Sequence, residues 1–246
     1  SGFYVISILV FTAFAAAFSL PNIPIFLDDL GHDGQWYLKL AEGRINEVLQ
    51  PFSGRILYPF VAGFLDKISG FGIGWSFYLL GLTSLFGFLL ISTFILKRIV
   101  IFPFLGIPIV FLPYFLEISR ELFLPDVFYI FLTALFFFFL FRGKEAASLI
   151  ILFLLFLTRE STILLGLILA IFGFWRRKKM FAVAAIIVTL ISVFLISSIS
   201  ALGLPNPHNV SNSFYLVLKL TYNFFNNFLG LKLWADTLAQ NCEPVF

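Results

Sequence analysis

The chain has 246 residues, of which 61% are hydrophobic, 20% aromatic and 12% charged, with a formal net charge of +3. Soluble domains carry about a quarter charged residues and somewhat under half apolar ones, so an ordinary water-soluble enzyme and a disordered chain are both excluded. The single cysteine, Cys242, excludes an internal disulfide framework and a cysteine-rich metal site, and no basic run interleaves with aromatics as nucleic-acid binding requires.

What remains is an all-α polytopic membrane protein, in which spans of roughly 20 apolar residues, about 17 at the least, satisfy their own backbone hydrogen bonds. The first candidate is 3–20, which lacks a basic flank and a small-residue cleavage site and so reads as a retained helix rather than a signal peptide. Residues 21–74 form a first outer loop with structure of its own. From Gln35 to Leu49 an apolar stripe of Tyr37/Leu38, Ala41, Ile45 and Val48/Leu49 opposes Lys39, Glu42, Asn46 and Gln50, which predicts a helix lying in the membrane interface. Residues 56–68 predict a second such helix, too short at about 20 Å to cross comfortably. Further spans are expected at 75–96, 99–116, 125–141 and 180–203.

Between these, 146–175 is apolar except for Arg159-Glu160 at its centre. It is either one helix of about 45 Å or two short helices turning at Thr158–Ser161. The basic clusters Lys97-Arg98, Arg142/Lys144 and Arg176–Lys179 decide between them. Two short helices put all three clusters on one side, as the positive-inside rule prefers. The count is then seven spans with the N-terminus inside, or eight if the aromatic segment 214–234 crosses. Lys219, Asn223, Asn226/Asn227 and Gly230 follow helical spacing there, and favour an interfacial helix in an outer segment 204–246. The whole chain reads as one membrane domain. Eight Lys/Arg and one acid, Glu145, fall inside, whereas eight Lys/Arg and twelve acids fall at the outer level if residues after 204 stay outside.

Charges at that depth need a partner or a role. Asp28-Asp29 and His32-Asp33-Gly34 lie between the first span and the interfacial helix, where Asp33 could take a proton from an attacking hydroxyl or simply cap the helix. Ser53-Gly54-Arg55 joins the two interfacial helices, and Arg55 could grip a phosphate bidentately or anchor to lipid headgroups. In the second outer loop Glu117, Arg120 and Glu121 are spaced to pair on one helix face, and Asp126 follows Pro125 at a helix start, where the macrodipole favours an acid. Arg159-Glu160 either closes a local salt bridge or turns Arg159 toward an anionic ligand. His208 reads as a surface histidine. No zinc-spaced histidine pair, nucleophile elbow or phosphate loop is present.

Gly31-His32-Asp33-Gly34-Gln35-Trp36-Tyr37, then Ser53-Gly54-Arg55-Ile56-Leu57-Tyr58-Pro59, Leu124-Pro125-Asp126-Val127-Phe128 and Leu157-Thr158-Arg159-Glu160-Ser161 form an ordered set. The set resembles motifs of prokaryotic multispanning proteins in the GT-C glycosyltransferase superfamily, and the resemblance covers about residues 3–175. It implies a GT-C-like core of about seven helices with an outer-facing cavity in the cytoplasmic membrane. It also implies transfer of a sugar from a polyprenyl-phosphate donor to an acceptor hydroxyl on the extracytoplasmic face. The catalytic acid of such enzymes falls on Asp33, and Arg55 and Arg159 become candidates for the donor phosphate, with His32, Glu117, Arg120, Glu121, Asp126 and Glu160 in support. No cofactor is expected, although Asp29, Asp33, Glu117 and Glu121 could gather around a hard divalent cation. Relatives commonly carry further helices, so a partner membrane subunit is among the expected contacts beside the bilayer, the lipid-linked sugar and the acceptor. Alternatives are a non-catalytic subunit or scaffold with the same fold and, third, a small-solute transporter.

Overall fold

Every regular element among the described residues is a helix. The computed structural model describes residues 8–10, 12–13, 16–17, 31–99 and 124–205, all within a compact unit that runs from Ser1 to Pro205. The expected third span at 99–116 and the C-terminal segment after residue 205 lie outside the described residues, apart from Ile99 at the end of a helix. In chain order the elements are α1 (Gly31–Ala41), two 3-10 turns (Ile45–Glu47 and Phe52–Gly54), α2 (Leu57–Ser69), α3 (Ile73–Ile99), α4 (Pro125–Phe141), α5 (Glu145–Thr158), α6 (Thr162–Trp175) and α7 (Lys179–Ser200).

Two helices are long and apolar enough to cross a membrane, Ile73–Leu96 within α3 and Lys179–Ser200, while α4, α5 and α6 are shorter apolar helices. Only 22% and 28% of the apolar windows of these two helices are buried inside the protein. Their outward faces carry Trp75, Phe94, Leu190 and Phe194, and α6 adds Ile171 and Trp175, all exposed. Exposed apolar side chains on these three helices support membrane association.

The first helix differs from the expectation of 35–49: it starts at Gly31 and stops at Ala41. Gly43 ends it with φ +82, and the Gly43 and Arg44 amides donate to the Leu40 and Lys39 carbonyls at 3.0 and 2.8 Å. That pair of bonds closes a left-handed C-terminal cap in which glycine carries no Cβ penalty. The apolar periodicity continued past the glycine, but Ile45–Glu47 takes up a separate 3-10 turn. The second short helix matches its expected position within one residue, at Leu57–Ser69. It packs on α1 through Gly63, where a Cβ would stand 2.4 Å from the Ala41 carbonyl oxygen. Its other face, Phe60, Phe64 and Ile68, is an exposed apolar stripe at helical spacing.

The stretch 146–175 breaks where the charges fall, with α5 ending at Thr158 and α6 beginning at Thr162. Helices α4 to α7 therefore run up and down, and Pro125, Thr158, Thr162 and Ser200 lie toward one end while Phe141, Glu145, Trp175 and Lys179 lie toward the other. Small residues bring α6 and α7 close: a Cβ on Gly166 or Gly173 would meet Thr189 or Ala182 at 2.3 or 2.9 Å. Tyr58, Phe128, Phe136, Leu152, Leu155, Phe156 and Ala185 fill the core between these helices, α2 and the first turns. Ile8 joins Tyr78, Leu85 and Leu89 of α3 in a second apolar cluster, and the Tyr78 hydroxyl donates to the Ala16 carbonyl at 3.1 Å.

The chain after α7 folds back on the first loop. The Leu204 amide donates to the Val48 carbonyl at 2.8 Å and the Gln50 amide to the Leu204 carbonyl at 3.0 Å, forming a parallel bridge. Gln50 Nε2 and Ser53 Oγ also donate to the Ser200 carbonyl at 3.0 and 3.2 Å. This clasp fixes the Phe52–Gly54 turn, and with it the next residue, Arg55.

Candidate functional site

Arg55 leaves the 3-10 turn at its C-terminal residue and points toward the break between α5 and α6. Its Nε donates to Glu160 Oε2 at 2.9 Å and its Nη2 to Oε1 at 2.6 Å, a two-pronged fork, while Nη1 donates to the Tyr37 hydroxyl at 3.1 Å. The guanidinium also lies 5.0 Å from the Phe52 ring centre, and Phe52 meets Tyr37 edge-on. The planar guanidinium suits this arrangement because its donors match a carboxylate and its face suits an aromatic ring.

The neighbouring charge takes a different partner. Arg159 Nη2 donates to Asp126 Oδ1 at 2.5 Å, and the guanidinium sits 5.7 Å from the Tyr129 ring centre. Asp126 stands in the first turn of α4 and Tyr129 three residues on, so both lie on one helix face. Thr162 Oγ1 bridges the Tyr129 hydroxyl and the Leu155 carbonyl at 3.3 and 3.2 Å. Arg159 has extended backbone, φ −151 and ψ 133, which sends successive side chains to opposite sides. The local Arg159–Glu160 bridge considered from sequence therefore does not form. Arg159 Nε is buried and makes no hydrogen bond.

The cluster is half-buried, with side-chain exposures of 17% for Arg55, 35% for Glu160, 32% for Arg159 and 25% for Asp126. Burial pushes the Glu160 carboxyl up, but the facing Arg55 guanidinium outweighs it and holds the group below the ordinary carboxylate value. Burial likewise works against the Arg55 charge, yet Glu160 and Tyr37 raise its basicity further. Burial raises the Tyr37 phenol above its ordinary value against the pull of Arg55, so it stays protonated and its oxygen can accept from the guanidinium.

Asp33 stands in the first turn of α1, exposed, with no hydrogen bond or ion pair among the described residues. It precedes Tyr37 by one turn, about 6 Å along the same helix face. The structure thus joins Arg55, Glu160, Arg159 and Asp126 in one region and puts Asp33 one turn from Tyr37 at its edge. Glu117, Arg120, Glu121, His208 and the side chain of His32 lie outside the described residues. Asp29 does too, and among the described residues no group of three or more His, Cys, Asp or Glu is placed to hold a metal ion. Tyr37, Tyr129 and Thr162 are members that the charge pattern passed over. The spacing of Tyr129 from Asp126 and of Tyr37 from Asp33 was the available signal.

Comparison with protein-family profiles, curated proteins and solved structures gives no match to this chain. Fold and site define a class by themselves: an all-helical chain with two helices able to cross a membrane and an arginine–carboxylate–tyrosine cluster at one end of its short apolar helices.

Proposed function

We propose that the protein is an integral-membrane glycosyltransferase of GT-C type that moves a sugar from a polyprenyl-phosphate donor to an acceptor hydroxyl on the extracytoplasmic face. In this reading about seven helices cross the membrane, α5 and α6 as a short pair, while α1 and α2 lie in the outer interface with the stripe Phe60, Phe64 and Ile68 against lipid. The observation that carries the proposal is a carboxylate, Asp33, that has no partner among the described residues and stands one helical turn from Tyr37 in a cluster holding two arginines. The acceptor hydroxyl gives its proton to Asp33 as its oxygen bonds to the anomeric carbon. The bond from that carbon to the phosphate oxygen breaks, and the polyprenyl phosphate leaves with the electron pair as a stable anion. One displacement inverts the anomeric centre.

Arg159 is the better placed of the two arginines to meet that anion, since its Nε is buried without an acceptor and a phosphate oxygen would satisfy it. Arg55 already holds both oxygens of Glu160 and orients the cluster. The second reading is a non-catalytic subunit with the same fold. It draws on the pairing of both arginines with carboxylates, an internally neutral arrangement that a purely structural joint would also adopt.

The deciding experiment is sugar release and transfer by detergent-purified protein, with a panel of radiolabelled polyprenyl-phosphate sugars, for wild type and Asp33→Asn. Release by wild type that is lost in the equally stable variant supports the enzyme and its base together. Equal release removes Asp33 from the mechanism. No release from any donor, with or without co-purified membrane partners, favours the structural subunit.

A further inference from the structure

The opposite end of α4 to α7 carries a different chemistry. Arg142 and Lys144 flank Gly143 in the α4–α5 turn, and Arg176, Arg177 and Lys178 make up the α6–α7 turn with Lys179 the first residue of α7; all six are exposed. Lys178 Nζ meets Glu145 Oε1 at 2.5 Å, which ties the second turn to the first residue of α5 and makes the two turns one surface. Among the described residues six cations face one carboxylate on it. Arg142 and Arg176 each stack on a phenylalanine of their own helix, 4.4 Å from the Phe138 ring centre and 5.4 Å from Phe172. Their charged heads are therefore held back at the ends of the apolar helices rather than reaching away from them. Trp175 and Met180, 81% and 84% exposed, border the charges on the apolar side.

A soluble acidic partner would leave the bordering tryptophan and methionine in water, whereas a lipid leaflet covers both the charges and the apolar rim at once. Among the described residues five of these cations have no carboxylate opposite them, so they call for counter-charges at the depth where phospholipid phosphates lie. We infer that this surface binds the headgroups of anionic phospholipids in the leaflet opposite the candidate site. The inference rests on the membrane reading of the chain and not on its proposed transferase activity.

The test uses the full chain in detergent, titrated with brominated phosphatidylglycerol or brominated phosphatidylcholine of the same acyl chains. Quenching of Trp175 is read as the difference between the protein and Trp175→Phe. Phosphatidylglycerol should bind at least about tenfold more tightly at low salt, with the preference fading as salt rises. It should be lost in Arg142→Gln/Lys144→Gln/Arg176→Gln/Arg177→Gln. Glu145→Gln keeps every cation and removes the one acid, so it should keep or sharpen the preference and serves if the quadruple variant does not fold. Equal quenching by the two lipids, or relief of the quenching by inorganic phosphate at the same anion concentration, overturns the inference. A chain that stays soluble without detergent and is quenched by neither lipid overturns the membrane reading instead.

Discussion

Breaking the Arg55–Glu160 fork one partner at a time should reveal whether the cluster is a working joint of the fold. Two unit charges about 4 Å apart attract by about 4 kcal/mol at an effective dielectric of about 20. That is an upper bound here, because Glu160 is 35% and Arg55 17% exposed and both lose hydration on pairing. Removing one partner costs about 3–5 kcal/mol from a fully buried pair and about 0–1 from an exposed one. The half-buried geometry thus sets Arg55→Met and Glu160→Gln at about 2 kcal/mol each. The double variant should fall well short of the sum, because no charge is then left unpaired, giving a coupling of about 1.5–2 kcal/mol. Arg55→Lys should recover little, since an ammonium cannot reproduce the fork and the Tyr37 bond together. The assay is equilibrium unfolding in mixed micelles for the four members of the cycle. A coupling under about 0.5 kcal/mol, with both single variants near wild type, would refute the argument and make the pair a surface contact.

The same pair predicts an acid dependence. Because the folded Glu160 value is depressed, its contribution is complete above the unfolded carboxylate value of 4.5 and is lost as pH falls through the folded one, so the gap in melting temperature between wild type and Glu160→Gln should close under acid. Gly63→Ala should lose about 1–3 kcal/mol, because the new methyl meets the Ala41 backbone and not a side chain that could swing away; proteolysis between α1 and α2 would report the separation. Gly203→Ala should open the clasp in the same way, with its methyl 2.5 Å from Ser53 and 2.6 Å from the Val48 carbonyl, and faster amide exchange at Gln50 and Leu204 is the measurement. Asp33→Asn should leave unfolding within about 0.5 kcal/mol of wild type, since the side chain is exposed and has no partner among the described residues; a larger loss would mean the carboxylate is structural.

The helical order was legible because lipid-like composition leaves few alternatives and because the charges punctuate it. The break at Arg159-Glu160 and the span of Leu57–Ser69 follow from where apolar runs end. The first helix is shorter than its periodicity predicts because the apolar stripe runs on through Gly43, where a glycine in the left-handed region stops the helix. What sequence could not give was partnership. Arg55 and Glu160 are 105 positions apart, and Arg159 and Asp126 are 33 apart. The adjacent pair 159–160 invited a local bridge, and only the extended backbone at Arg159 separates the two side chains.

Helices α5 and α6 have 14 residues each, about 21 Å of rise apiece, whereas the hydrocarbon layer is about 30 Å deep. Helix α7, with 22 residues, reaches about 33 Å. If the basic turns sit at one membrane boundary, the Arg159–Glu160 turn stops roughly 9 Å short of the other. Either water and headgroups dip inward to meet it or the bilayer thins around it, and both have an elastic cost that grows with acyl length. On the proposed membrane reading, the depth of this turn follows the thickness of the host membrane: longer-chain lipids should bury the arginines more deeply, and shorter ones should lift them toward water.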